Sequence, residues 1–381
     1  MTAQRALIGS RYGLMRDNFI LDPISDQQCF ARDDINTHDI AEALDVDVVT
    51  GLAPKRLIWG PYGAGKTHTL MRTMEELGAL TAIHPVRIEC PDLGKRSRFH
   101  DLYREGIMRS LGQDFVLDLL RGVVQKVGFK KPEALRSDLK QWLVDEEMAK
   151  AVERLYDPNF EQLKLWRWLS AVGLGRNDLN ALGQTQDLTE AEAARLADML
   201  VIIGRVLQRL HGKTLVMILD EMERLGAIEG ETLTTFTSGF TRLVDPAQKS
   251  ICILIGASAA SLSDMVDIFA GQGPIISRLG GSGATIVINA LQDPDVDRFV
   301  KGVISYLRDP TFDVTAAVSK SAQATAEGFD PAFFPFTVKA VEALKSRTET
   351  LTPRAINMQM TRALGRAYRK ELDYISTECI G

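Results

Sequence analysis

Several things that mark large protein classes are missing from this chain. Its four cysteines, Cys29, Cys90, Cys252 and Cys379, are scattered, and none forms a C-x-x-C pair. That spacing argues against a thiolate metal site or a disulfide framework, and for reduced thiols. Long apolar runs are absent too. The longest, Met199 to Leu207, is broken by Gly204 and Arg205, so no membrane span is expected. Arg5, Arg11 and Arg16 interrupt any apolar stretch near the start, which excludes a signal-peptide pattern there and leads us to expect a cytoplasmic protein. A large excess of one charge is missing: 45 Lys and Arg against 50 Asp and Glu leave a net value of −5. Any contact with nucleic acid must then be a local basic patch. No internal repeat or low-complexity tract stands out. What remains is ordinary soluble composition, 25% charged and 45% hydrophobic, in a chain long enough for roughly two or three domains and a real core.

What is present is a phosphate-binding pattern. Gly60-Pro61-Tyr62-Gly63-Ala64-Gly65-Lys66-Thr67 fits G-x-x-x-x-G-K-[ST] without a mismatch. Arg56-Leu57-Ile58-Trp59 reads as the end of a buried strand before it. His68 to Leu80 reads as a helix after it, with Leu70, Met71, Met74 and Leu77 on one face. The chemistry needs that order. Glycines let backbone N–H groups wrap an anion, and the new helix points its positive end at the same charge. Lys66 would reach the β- and γ-phosphates of ATP, and the Thr67 hydroxyl would ligate Mg²⁺. The expected nucleotide-binding set is Gly60 through Thr67, with His68 following.

A second pattern complements the first. Leu215 to Leu219 is an apolar run ending in Asp220-Glu221. A buried parallel strand with acids at its carboxyl end is a Walker B pattern. Asp220 would hold the Mg²⁺ shell, and Glu221 would orient and deprotonate water.

Other stretches organise the chain around these two. Residues 1–54 form a lead-in arm, with Phe30 to Ile35 and then a helical pattern through Ile40, Ala43 and Leu44. Such an arm either closes over adenine or simply packs. Ala82 to Cys90 reads as a second strand, followed by the basic run Lys95, Arg96, Arg98. Residues 113–210 show helical periodicity and almost no strand signal, so we expect a helical insertion there. Trp166 and Trp168 lie in it and cannot share a helix face. Thr189-x-x-Glu192 reads as a capping box opening a helix to about Leu210. Ile251 to Ile255 and Ala284 to Ile288 read as further strands. Ser258, at the tip of the former, is the candidate contact to the γ-phosphate or its water, with Ser261 second. Helices are expected from Asp293-Pro294, across roughly Phe334 to Lys345, and from Thr352-Pro353.

Five apolar strands with intervening helices and a small helical end resemble the AAA+ ATPase module over about residues 50–371. The resemblance rests on Gly60 to Thr67, Leu215 to Glu221, the Ser258 strand end, Ser277-Arg278-Leu279, and Thr352-Pro353-Arg354. It implies a five-stranded parallel P-loop (AAA+) sheet, α/β in class, with a helical insertion and a C-terminal helical lid. The core would span 55–290 and the lid 291–381. It also implies that Arg278 is an arginine finger offered to a neighbouring subunit, and that Arg354 is the sensor 2 arginine. The family often carries Asn at the strand end where this chain has Ser258-Ala259. Lead-in and lid are similar to those of origin-recognition and transposition-regulator ATPases. Trp166 to Leu174 with Gly212 to Leu225 resembles ATPases of bacteriophage-exclusion defence systems.

The expected function is therefore an Mg²⁺-dependent ATPase that forms a homo-oligomer, a ring by resemblance, and acts on or with DNA through Lys95, Arg96 and Arg98. Anti-phage defence or transposition is the expected setting. An effector protein is a possible further partner, and no membrane contact is expected. A nucleotide-switched scaffold and a protein remodeller are the alternatives.

Overall fold

A computed structural model describes residues 8–32, 34–128, 132–245, 247–269, 275, 278–279, 285–318 and 326–381. The chain divides into two compact units. One comprises Met1–Thr37, Gly60–Arg72 and Ile288–Gly381, and the other His38–Trp59 and Thr73–Val287.

The second unit carries the sheet. Strands β1 (Lys55–Gly60), β2 (Ile83–Glu89), β3 (Thr214–Asp220), β4 (Ile251–Ser258) and β5 (Thr285–Val287) lie in the order β2-β3-β4-β1-β5. The β2/β3, β3/β4 and β1/β5 pairs are parallel. The expected five-stranded parallel sheet is present. Its centre is dictated by composition: all seven residues of β3 are buried, as are all of β4 except Ser258. Strands covered on both faces read as continuous apolar runs. Register places Glu89 opposite Asp220, so parallel pairing brings acids of β2 and β3 to one edge.

Between β2 and β3 the chain is helical. A first helix runs through three pieces, Phe99–Asp101, Leu102–Met108 and Arg109–Leu111, the middle one with π-type winding. Five more follow: Gln113–Val127, Pro132–Leu143, Glu146–Glu153, Gln162–Leu169 and Arg176–Leu182. The long helix Ala193–His211 closes the block. Trp168 is fully buried, while Trp166 packs partly buried against the same core.

The capping box does not form. Helix Ala193–His211 has Glu192 as its N-cap without a side-chain cap. Thr189 instead sits in a short 3₁₀ turn, Leu188–Glu190, whose N-cap Asp187 accepts from the Thr189 N–H at 2.8 Å. A carboxylate two residues upstream takes the amide that the motif would have left for the turn's own side chains.

In the first unit the arm and the C-terminal helices share one core. Tyr12, Leu14 and Phe19 pack in the same cluster as Phe299, Val303, Phe336, Leu344, Ile356 and Met360. The Tyr12 hydroxyl donates to the Leu372 carbonyl at 2.9 Å. Buried Asp26 takes both Arg16 guanidinium nitrogens at 2.8 and 2.5 Å, and these bonds hold its carboxyl at about 2 against the cost of burial. The three expected C-terminal helices are present as Asp293–Leu307, Val338–Arg347 and Pro353–Arg369, and a short helix, Val314–Val318, follows the first. Helix Val338–Arg347 starts four residues later than expected, because Thr337 is its N-cap, accepting from the Ala340 N–H at 3.1 Å. No helix among the described residues is long and apolar enough to cross a membrane.

Candidate nucleotide site

The P-loop follows β1 and ends where the helix Lys66–Gly78 begins. Its backbone explains its glycines. Gly63 and Gly65 have φ of +80° and +103°, conformations that side chains strongly disfavour. A Cβ at Gly60 would lie 2.0 Å from the Ile288 carbonyl oxygen. Lys66 is buried, and its Nζ donates to the Gly60 and Pro61 carbonyls at 3.1 and 2.8 Å. Ala64 is fully buried, whereas Tyr62 is 66% exposed at the loop tip. Thr67 and His68 follow on the first helical turn, both half-buried. Burial pushes the His68 imidazole below its ordinary pKa, against the pull of Asp26 and Asp22.

Two contacts from distant sequence hold this loop. The Arg354 N–H donates to the Gly63 carbonyl at 3.3 Å, and its guanidinium lies 4.7 Å from the centre of the Tyr62 ring. Thr352 caps that helix by accepting from the Ala355 N–H, with Pro353 as its first residue. Arg32 of the arm donates to the Ala64 carbonyl at 2.6 Å. Sequence reasoning placed Arg354 at the site but missed Arg32. The available signal was Arg-x-Asp, a guanidinium two residues from the Asp34 carboxylate that orients it.

The sheet edge of the second unit holds the acids. Asp220 is buried; its Oδ1 accepts from the Glu221 N–H at 3.0 Å, and its Oδ2 lies 3.4 Å from Arg87. Glu221 sits in left-handed backbone, φ +59° and ψ +35°. A non-glycine residue there is strained and marks a constrained position. Its carboxylate pairs with Arg224, which also donates to the Cys90 carbonyl and lies 3.4 Å from Asp92. Burial pushes the Glu221 carboxyl above its ordinary pKa; Arg224 pulls it back, while Asp220, Glu89 and Glu223 push it further up. Half-buried Ser258 donates its backbone N–H to Glu223 at 3.0 Å. Arg87 and Arg224 were not foreseen, although Arg224 stands at helical spacing from Glu221.

The remaining predicted residues are surface groups. Lys95, Arg96 and Arg98 are all exposed. Lys95 pairs with Glu229 at 2.9 Å, and the Arg98 N–H donates to Asp101 at 2.7 Å. Arg278 is exposed, and no hydrogen bond or ion pair joins it to Asp220, Glu221 or Ser258 among the described residues. Ser277 lies outside the described residues.

A P-loop at the end of one strand of a five-stranded parallel sheet, an acid-tipped strand in that sheet, and a capped helix opening on Thr352-Pro353-Arg354 are now in place. The chain has a P-loop α/β fold built on a five-stranded parallel sheet. No family model matches it, and no curated protein does. Among solved structures it is similar to the ORC2 protein of Aeropyrum pernix in ADPNP–ADP complexes, at 12% identity and TM-score 0.44, covering 90% of this chain and 65% of that one. It is also similar to Drosophila ORC bound to DNA, at 11% identity and TM-score 0.46, covering 100% and 66%. A third is the Thermotoga maritima RuvB Holliday junction branch migration motor, at 12% identity and TM-score 0.37, covering 90% and 64%. The chain spans slightly less than two thirds of the length of each of these structures.

The residues fit a magnesium nucleotide. Left-handed glycines and a buried lysine at a helix start suit a polyphosphate. Taken singly, a hydroxyl at a helix start and a buried carboxylate are each donor types that Mg²⁺ accepts, since it keeps several waters and takes few protein ligands. Among the described residues no group of three or more His, Cys, Asp or Glu is placed to hold a metal ion.

Proposed function

We propose that this protein is an Mg²⁺-dependent ATP hydrolase that works as an oligomer and acts on or with DNA. The observation that carries the reading is the P-loop itself: Gly63 and Gly65 in left-handed backbone with Lys66 buried against the loop carbonyls. In this reading Gly60 through His68 receive the phosphates, with Lys66 supplying the side-chain charge. Thr67 and Asp220 hold the metal. Bound Mg–ATP supplies an activated γ-phosphoryl group. Glu221 takes the proton from the attacking water, and its raised pKa makes it a stronger base than an exposed carboxylate. Ser258, at the tip of β4, touches the γ-phosphate or its water. Arg354 reads the γ-phosphate from the lid, and exposed Arg278 serves a neighbouring protomer, so full turnover needs assembly. Lys95, Arg96 and Arg98 offer cations to DNA phosphates. Defence against phage or transposition is a suitable setting, with an effector protein as a further partner.

A slow nucleotide switch is the second reading, and one observation favours it. Arg224 engages the Glu221 carboxylate directly, which withholds the base from water until that pair opens.

Calorimetric titration of ATP into wild type and Lys66→Ala tests the nucleotide claim. Wild type should bind and the variant should not; equal affinity removes the P-loop assignment. Phosphate release measured beside mass photometry, with and without DNA, separates motor from switch. Replacing Lys95, Arg96 and Arg98 together by Ala should weaken DNA binding and flatten its log K versus log [salt] slope, by about 0.9 for each duplex phosphate that is no longer neutralised. Unaltered binding across a salt series excludes these residues from the interface.

A further inference from the structure

A loop that turns its N–H groups toward an anion must turn carbonyls the other way. Where those carbonyls are buried, each needs a donor. Ala64 is fully buried in the P-loop, and the donor to its carbonyl is the Arg32 Nη1 at 2.6 Å. All three nitrogens of the guanidinium are engaged. Its Nε and Nη2 fork onto the Asp34 carboxylate at 2.7 and 2.6 Å, and Nη2 also reaches the Asn289 carbonyl at 3.1 Å. Arg32 is only 3% exposed. A buried charge of this kind persists only when it is fully paired, and a planar five-donor fork is what three acceptors in different directions require.

A trans peptide points its N–H opposite to its C=O. Fixing the Ala64 carbonyl on Arg32 therefore fixes the direction of the Gly65 N–H. Gly65 itself, at φ +103°, has no side chain to hold that plane. We propose that Arg32 is a positioning residue for the phosphate cradle, holding the Ala64–Gly65 peptide so that the Gly65 N–H faces the diphosphate of a bound nucleotide. This rests on the nucleotide reading above. Asp34 orients the guanidinium, and the Asn289 contact ties the loop to the chain just after β5.

The test measures affinity for ADP and for a non-hydrolysable ATP analogue in wild type, Arg32→Ala, Arg32→Lys, Asp34→Asn and Val303→Ala. Val303 is a buried core residue that takes part in none of the Arg32, Asp34, Ala64 or Asn289 hydrogen bonds, so its variant lowers the melting temperature with those bonds left in place. Arg32→Ala should bind both nucleotides roughly 10- to 100-fold more weakly, the loss expected when a donor to a buried acceptor is removed. Arg32→Lys should recover part of that loss, and Asp34→Asn should lose less than Arg32→Ala. In turnover, KM should rise with kcat nearly kept, because the cradle grips ground and transition states alike. Val303→Ala should keep wild-type affinity well below its melting temperature. A folded Arg32→Ala that binds ADP like wild type overturns the proposal, as does an equal affinity loss in Val303→Ala. If Arg32→Ala does not fold, wild-type affinity in both Arg32→Lys and Asp34→Asn overturns it. A wild type that binds neither nucleotide removes the nucleotide reading and this proposal with it, whereas a loss confined to the Arg32 and Asp34 variants supports both.

Discussion

At the P-loop, Arg32 and the Arg354 amide grip two backbone carbonyls, those of Ala64 and Gly63. At the ends of β2 and β3, Arg87 and Arg224 grip side-chain carboxylates, those of Asp220 and Glu221. The first arrangement sets the shape of a loop. The second restrains two acids and, through Arg224, lowers the pKa of one of them, Glu221, against the effect of burial. Perturbing the loop should therefore change nucleotide binding, and perturbing the strand tips should change turnover and its pH dependence.

The largest effect expected at the strand tips is Glu221→Gln. A general base contributes about 10²–10⁴ in rate, so kcat for phosphate release should fall by that factor while calorimetric affinity for ATP stays. Wild-type turnover in the variant would take the base role away from Glu221 and break the contrast at its stronger end.

The shape argument is sharpened by two alanines. Gly51 and Gly63 have nearly the same φ, +79° and +80°, but different surroundings. A Cβ at Gly51 meets nothing within 4 Å, while at Gly63 it would lie 2.9 Å from the Arg354 Cβ and 3.3 Å from the Thr352 Oγ1. Gly51→Ala should cost about 1–2 kcal/mol from backbone conformation alone. Gly63→Ala should cost about 1–3 kcal/mol more through overpacking. Urea unfolding of the two variants gives the difference directly; equal losses would mean that the Arg354 and Thr352 side chains yield freely.

Arg224→Ala should have the mildest effect. Burial already raises the Glu221 pKa, and Arg224 is the group that lowers it. Removing the guanidinium should raise it further. The base works deprotonated, so the acid limb of kcat against pH should move to higher pH, with the plateau above it kept or increased as the carboxylate is released. A limb that stays in place would show that Arg224 does not govern the charge on Glu221.

Read alone, the sequence determined what depends on residues close together in the chain. Apolar runs marked β3 and β4, because strands buried on both faces need no alternation, and the short run Leu57-Ile58-Trp59 ahead of the P-loop marked β1. Gly60 to Thr67 specified the loop, and Thr352-Pro353 specified the start of helix Pro353–Arg369, because capping and left-handed glycines are settled within a few bonds. Even such a local rule failed at Thr189, where Asp187 took the amide first. What only the tertiary structure decided are the contacts between residues far apart: Arg32 with Ala64 and Asn289, Arg354 with Gly63, Arg87 with Asp220, Lys95 with Glu229. Each joins one long side chain or one amide to an acceptor whose position is set by strand register and helix packing. No spacing in the sequence encodes such a meeting, because a guanidinium can reach many acceptors and the packed core selects among them.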